Sequence, residues 1–233
     1  MSNSLFLTKD GAKIENNGAG QVYWNNQPLK IAIPADLFMK WAGVVYAEAA
    51  STNLVTQLGM GDVATEMERE GYGIAVTMFN YCEAKSKKLN KNYTLVDLLS
   101  NADYAKALVS TQYQEYQNFS GGDANRRKYA HMGCLRVLLG NHIADIQQAK
   151  SLYWDGQDLW TNAKHFKKNY GFRVTRPEHG GLYRNKNLSL VSTPALRPDV
   201  QQKGIQYVYQ SVFTAGGTIF STLTPEGFKA YGV

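Results

Sequence analysis

The sequence predicts an α+β fold that is mainly α: a helical body with a β-rich carboxyl-terminal elaboration packed on it. Three observations predict this. From residue 34 to about residue 150, apolar side chains recur at three- and four-residue steps, the period of a half-buried helix. Beyond that stretch Gly, Pro, Asn and Arg become frequent and the helical period is lost. Near the carboxyl end Ile205, Tyr207, Tyr209, Ser211 and Phe213 alternate with Gln206, Val208, Gln210 and Val212 ahead of Gly216 and Gly217, which reads as a strand entering a hairpin turn. The expected divisions are an extended prelude over 1–33, a body over 34–165 and the elaboration over 166–233.

The prelude carries turn residues at Asn16, Asn17 and Gly18 and again at Asn25 and Asn26. Pro34, Ala35 and Asp36 open the first helix, and Leu37, Trp41 and Val44 lie on one face of it. A Gly-containing loop, Leu58 to Gly61, precedes a second helix of roughly Val63 to Ser86, on which Ile74, Met78 and Cys82 share a face. Thr94 caps a third helix through Leu95, Leu98, Leu99 and Ala102. Ser110 to Phe119, with Tyr113, Tyr116 and Phe119 among glutamines, fits neither period and reads as a cleft-lining loop or irregular hairpin. Gly121 and Gly122 end it. Asp123 caps a fourth helix through Ala130, Cys134, Val137 and Leu138, and the helical pattern, broken at Gly140, continues to Lys150.

At 233 residues, 44% of them hydrophobic and 19% charged, the chain can bury a proper core. Its longest apolar runs fall far short of membrane-spanning length, so membrane insertion is not expected. Met1 to Gly11 holds only the short run Leu5, Phe6 and Leu7, with Lys9 and Asp10 behind it, so a product made in the cytoplasm without a secretory signal is expected. The net charge of +6 suggests an anionic partner, but 25 basic against 19 acidic residues is mild for a nucleic-acid binder, and bacterial cell wall is an equally good anion. The basic residues also scatter, and the run Arg126, Arg127 and Lys128 reads as a solvated face opening a helix. Cys82 and Cys134 are too few for a disulfide framework and are expected as buried thiols. His131, His142, His165 and His179 never stand at metal-ligand spacing, and neither a phosphate-binding glycine loop nor a Gly-x-Ser-x-Gly motif occurs. No metal and no cofactor are expected.

Glu48 falls next on the apolar stripe of the first helix. An ionised carboxylate there is costly to bury, so it should face a cleft, pair with a cation, or keep its proton to an unusually high pH. A proton-holding Glu is what a general acid for glycosidic cleavage requires, and the small residues Ala47, Ala49, Ala50 and Ser51 leave room for a ligand. For a second acid, Glu66 and Glu70 precede Ile74 and Met78 at four-residue steps, and Glu70 is the better placed, although the helix dipole alone favours an acid near a helix start. Tyr153, Trp154 and Asp155, with Gly156, Asp158 and Trp160 behind them, set aromatic rings beside carboxylates, a combination that forms either a sugar-stacking platform or a plain turn with buried aromatics.

The stretch Trp41-Ala42-Gly43-Val44-Val45-Tyr46-Ala47-Glu48-Ala49, followed by Gly73-Ile74-Ala75-Val76-Thr77-Met78-Phe79-Asn80, resembles the cell-wall hydrolases related to spore-cortex-lytic enzymes. The resemblance spans residues 38 to 160. It extends to Gln117-Asn118-Phe119-Ser120, where that family shows Gln-Phe-Ser in its substrate cleft, and to Tyr153-Trp154 after the last core helix. Tyr81 stands where the family has Arg after the Asn of its second helix. The Trp-Asp-Gly turn and β-rich tail look like variants among antibacterial effectors of type VI secretion systems.

The resemblance implies a lysozyme-like body with Glu48 as the catalytic acid and Gln117, Phe119, Ser120 and Tyr153 in the cleft. The implied activity is cleavage of the β-1,4 bond between N-acetylmuramic acid and N-acetylglucosamine in the cell-wall compartment of a target cell. Attack by water would make the protein a muramidase, and attack by the muramic acid's own 6-hydroxyl a lytic transglycosylase. The expected partners are peptidoglycan and, for an injected toxin, a cognate immunity protein. The reading from another class is a non-enzymatic module of a phage or secretion system that holds glycan through Tyr113, Tyr116, Tyr153 and Trp154.

Overall fold

A short amino-terminal sheet leads into the helices. In the computed structural model, which describes residues 4–8, 14–16, 20–29, 31–100, 107–118, 121–156, 173–174, 204–205 and 208–231, four strands come first. They are β1 (Leu5–Leu7), β2 (Ile14–Asn16), β3 (Val22–Trp24) and β4 (Gln27–Pro28), arranged β2-β1-β3-β4 with β1 and β3 parallel. The β3–β4 turn uses Asn25 and Asn26 at φ of 50° and 63°, a left-handed conformation that Asn tolerates better than most side chains. Leu5, Leu7 and Val22 reach the main core.

The helices are α1 (Ala35–Glu48), α2 (Thr52–Leu58), α3 (Val63–Leu89), α4 (Leu95–Leu99), α5 (Thr111–Gln117), α6 (Ala124–Leu139) and α7 (Ala144–Ala149). After them come β5 (Tyr153–Gly156), β6 (Arg173–Val174), β7 (Tyr209–Ala215), β8 (Thr218–Leu223) and a closing α8 (Pro225–Tyr231). The fold is α+β and mainly helical, as expected. Capping side chains mark the helix starts: Ser51, Asp62, Thr94, Ser110 and Asp123 each accept from a backbone N–H three residues on.

Two segments of the helical body differ from the sequence reading. Ser110 to Phe119 is not a loop or hairpin, since Thr111–Gln117 forms α5. Its two buried side chains, Tyr113 and Tyr116, sit three apart against α1, a stripe too short to display a period. The chain between α1 and α3 holds a further helix, α2, capped by Ser51 and closed by Gly59 at φ 60°. Cys82 and Cys134 are buried free thiols.

Phe38, Trp41 and Tyr46 of α1, Tyr72, Ile74 and Met78 of α3, and Cys134, Leu135 and Leu138 of α6 make the core. Helices α3 and α6 meet through glycine. A Cβ at Gly71 would strike the carbonyl oxygen of Tyr129, and one at Gly133 would strike the carbonyl group of Gly71, so the two backbones touch. The second sheet, ordered β5-β8-β7-β6, lies on α3. Phe213 and Phe220 stack at 4.2 Å between centroids, and the Phe220 ring would lie 2.7 Å from a Cβ at Gly73. The Trp154-Asp155-Gly156 segment is strand rather than turn, paired antiparallel with Phe220, Ile219 and Thr218 of β8 in that order.

Candidate functional site

Helix α1 stops at Glu48 because Ala49 turns to extended backbone and Ser51 starts a new helix. This break leaves the carbonyls of the last turn without helical partners. A cation from another helix serves them: Arg126 of α6, only 9% exposed, donates through Nη2 to the carbonyl of Ala47 at 3.1 Å and to that of Ala49. Its guanidinium also lies 4.6 Å from the Tyr46 ring centroid. Asp123, the cap of α6, accepts from the Thr52 N–H at 2.6 Å and the Thr52 hydroxyl at 2.7 Å, which ties the start of α2 to the start of α6. Burial opposes its charge, yet the hydrogen bonds from Arg126 and Thr52, with the Arg126 guanidinium, hold its carboxyl below the usual range.

Glu48 is exposed in a cleft of about 510 Å³ at this break. Ala47, Ala49, Ala50 and Ser51 line it beside Glu48, as their small side chains suggested, together with Leu54, Gln112, Glu115, Arg126, Gly156, Gly217 and Thr218. The Trp154 indole donates to Oε2 of Glu48 at 3.2 Å, so an acid from the helical body and an aromatic ring from the sheet meet at the rim. Glu115 accepts from the Tyr46 hydroxyl at 3.1 Å.

Glu70 is on α3 as expected, but its side chain is fully buried behind the cleft wall. It accepts hydrogen bonds from the Ala50 N–H at 3.0 Å, the Gly217 N–H at 2.9 Å and the Thr218 hydroxyl at 2.7 Å. Burial pushes its carboxyl up to about 7, against the pull of those three hydrogen bonds and of Arg126. In this position it touches the frame of the cleft and not its contents.

The aromatic candidates separate. Trp154 packs against the main core and reaches Glu48 with its indole N–H, whereas Tyr153, next along the strand and so on the other face, packs edge-on against Tyr81 and Tyr209. Tyr113 and Tyr116 belong to the core and not to the cleft surface: they are 9% and 2% exposed, and the Tyr116 hydroxyl shares a hydrogen bond with Nε2 of His131 at 2.8 Å. Burial of this kind leaves no ring face for a sugar. Gln117 ends α5 and is exposed, and Asp155 is half-buried in β5. Phe119, Ser120, Asp158 and Trp160 lie outside the described residues, as does Ala102.

Sequence reasoning missed Glu115, Gln112 and Arg126. Gln112 and Glu115 sit three apart on α5, a spacing that sets them on one helical face once the segment is known to be helix. Arg126 was hidden in a basic run, and its inward course depends on the unpaired carbonyls at the end of α1. Among the described residues, no group of His, Cys, Asp and Glu is placed to hold a metal ion.

A larger cavity, about 610 Å³, opens on the distal half of α3 between Asn80, Lys87, Lys150 and Phe228. Its carboxylate, Glu83, pairs with Lys87 at 2.6 Å, and that hydrogen bond holds its carboxyl below the usual range. In comparisons with known proteins, no family model, no curated protein and no solved structure matches this chain.

Proposed function

We propose that the protein is a peptidoglycan glycosidase that cleaves the β-1,4 bond between N-acetylmuramic acid and N-acetylglucosamine, with Glu48 as the general acid. The observation that carries this reading is the Glu48 carboxyl at the break after α1, exposed in a cleft of about 510 Å³. The short segment around Glu48 that resembles wall hydrolases supports it, and so does a net charge of +6 toward an anionic wall polymer. A lysozyme-like body with the β5–β8 sheet as its elaboration fits the same reading. The site of action is then the cell-wall compartment of a target cell, with the protein serving as an antibacterial effector or lysin.

In this mechanism Glu48 gives its proton to the glycosidic oxygen as the bond from that oxygen to C1 of the muramic acid breaks, and the oxocarbenium-like centre is then quenched. Glu48, now a carboxylate, takes a proton back either from the muramic 6-hydroxyl, which closes an anhydro ring, or from water. Glu70, walled off from the cleft, is not placed to activate that water. Glu115 is the other carboxylate lining the cleft.

Mass spectrometry of muropeptides released from purified peptidoglycan tests the reading. Wild type is expected to release sugar-bond products and Glu48→Gln none, while both remain folded. Release by Glu48→Gln would remove the mechanism, and glycan binding without release by wild type would favour a binding module. Anhydro ends that persist in Glu115→Gln identify a lytic transglycosylase, and reducing ends lost in Glu115→Gln identify a muramidase.

A further inference from the structure

Glu70 lies where three parts of the cleft frame meet, and its carboxylate is enclosed by them. We infer that Glu70 is the positioning residue of the cleft: it brackets the chain just beyond Glu48 to the hairpin paired with the Trp154 strand, and so sets the Glu48–Trp154 contact. The catalytic consequence rests on the proposed role of Glu48, whereas the bracket itself does not.

One carboxylate oxygen accepts from Ala50, two residues past Glu48, and the other accepts from Gly217 and Thr218. Thr218 is paired with Gly156, two residues past Trp154, in the β5–β8 ladder. The link from acid to indole therefore runs through a single buried group. Gly216, at φ 56°, is where the hairpin crosses Glu70, and a Cβ there would run into the carboxylate. From the other side, Arg126 holds the carbonyls of Ala47 and Ala49. Backbone on both sides of Glu48 is thus fixed by two buried side chains, the carbonyls of Ala47 and Ala49 by the Arg126 guanidinium and the amide of Ala50 by the Glu70 carboxyl.

The chemistry of the bracket depends on the proton. Two of its three partners are backbone N–H groups, which can only donate, and the third is a hydroxyl, so a carboxylate satisfies all of them. A protonated carboxyl brings a further hydrogen that only the Thr218 hydroxyl could turn to accept, at the loss of that bond. The charged groups around it are Arg126 from α6, Glu66 one turn earlier on α3, and Glu48 at the end of α1. Neither α2 nor the β7–β8 hairpin carries a charged residue. Glu66 accepts from the Gly216 N–H at 2.9 Å and so holds the same turn, but it has no bond to Ala50 among those seen. It should not replace Glu70.

The test is an NMR titration of the full chain from about pH 5 to about pH 8.5, which follows the Trp154 indole N–H and the amides of Ala50 and Gly217. All three are expected to move with one midpoint near neutrality. That midpoint should vanish in Glu70→Gln, reappear at a different pH in Glu70→Asp and survive Glu66→Gln. Amide exchange at Gly217 should speed up by about tenfold or more in Glu70→Gln. On peptidoglycan, kcat should fall about tenfold in Glu70→Gln with KM within about twofold, the pattern of a misaimed acid. An indole resonance that does not move with pH in wild type overturns the inference, as does a common midpoint that persists in Glu70→Gln and so belongs to another group, such as Glu48, to which the indole is bonded. If Glu70→Gln does not fold, the wild-type titration and Glu70→Asp decide. If wild type releases no muropeptides, the glycosidase reading falls and the resonances still settle the bracket.

Discussion

The indole of Trp154 meets the carboxylate of Glu48 at 3.2 Å across 106 positions of sequence. One partner closes the first helix and the other stands on the first strand of the second sheet, so the contact exists only when that sheet is docked on α3. Its indole N–H should matter more for aim than for stability. Trp154→Phe keeps an aromatic ring and removes the donor. Muropeptide release should fall about tenfold, while urea denaturation shows a loss of about 1 kcal/mol or less, the worth of one neutral donor at a solvated carboxylate. Unchanged activity would mean the indole does not orient the acid.

Glu70 makes stability fall as pH rises. Its carboxyl is raised in the folded protein from an ordinary 4.5 to about 7. Between those values the folded state binds more protons than the unfolded one. The stabilisation is therefore complete below the unfolded pKa and is lost on the way up to about 7. The total is on the order of 3 kcal/mol for a group this fully buried. Chemical denaturation at about pH 5 and about pH 8 should show wild type weaker at the higher pH by an amount that Glu70→Gln removes. Parallel curves for the two proteins would refute the shift.

Asp123 joins two helix starts. Replacing it with Ala removes the α6 cap and both bonds to Thr52, so about 2–3 kcal/mol of stability should be lost. Asp123→Asn keeps an acceptor and should lose less. Equal losses in the two variants, measured by urea denaturation, would show that the negative charge is what matters.

Gly71 and Gly133 allow α3 and α6 to touch backbone to backbone. Gly71→Ala should cost about 3 kcal/mol or more, because the obstacle is the carbonyl of Tyr129, which cannot swing aside as a side chain would. An exposed helical glycine changed to alanine gains about 1 kcal/mol instead, so thermal denaturation of Gly71→Ala gives the sign of the effect directly. A rise in Tm would show that the helices can separate without loss.

By itself the sequence determined the local elements whose signals lie within a turn or two of chain. Pro34 with Asp36 opens α1, Thr94 and Asp123 cap their helices, and the alternation through Phe213 into Gly216 and Gly217 makes the β7–β8 hairpin. Each of these is a contest between neighbouring backbone groups and one or two side chains, so the residues on either side decide it. Glu48 stood out in the sequence as a charge next on an apolar stripe, and the structure places it exposed where α1 ends.

Tertiary structure alone decided the rest. Tyr113 and Tyr116 went into the core instead of the cleft because α5 packs against α1, and the sequence of α5 is too short to show which face it buries. Arg126 turned inward because α1 stops and leaves carbonyls that only a cation from another helix can reach. Glu70 became an enclosed bracket, not a second acid of the cleft, because the β7–β8 turn closes over it from a point 147 residues away. The physical reason is common to all three. Burial and the pairing of buried polar groups are set by surfaces distant in the chain, and no local period or spacing reports which surface will arrive.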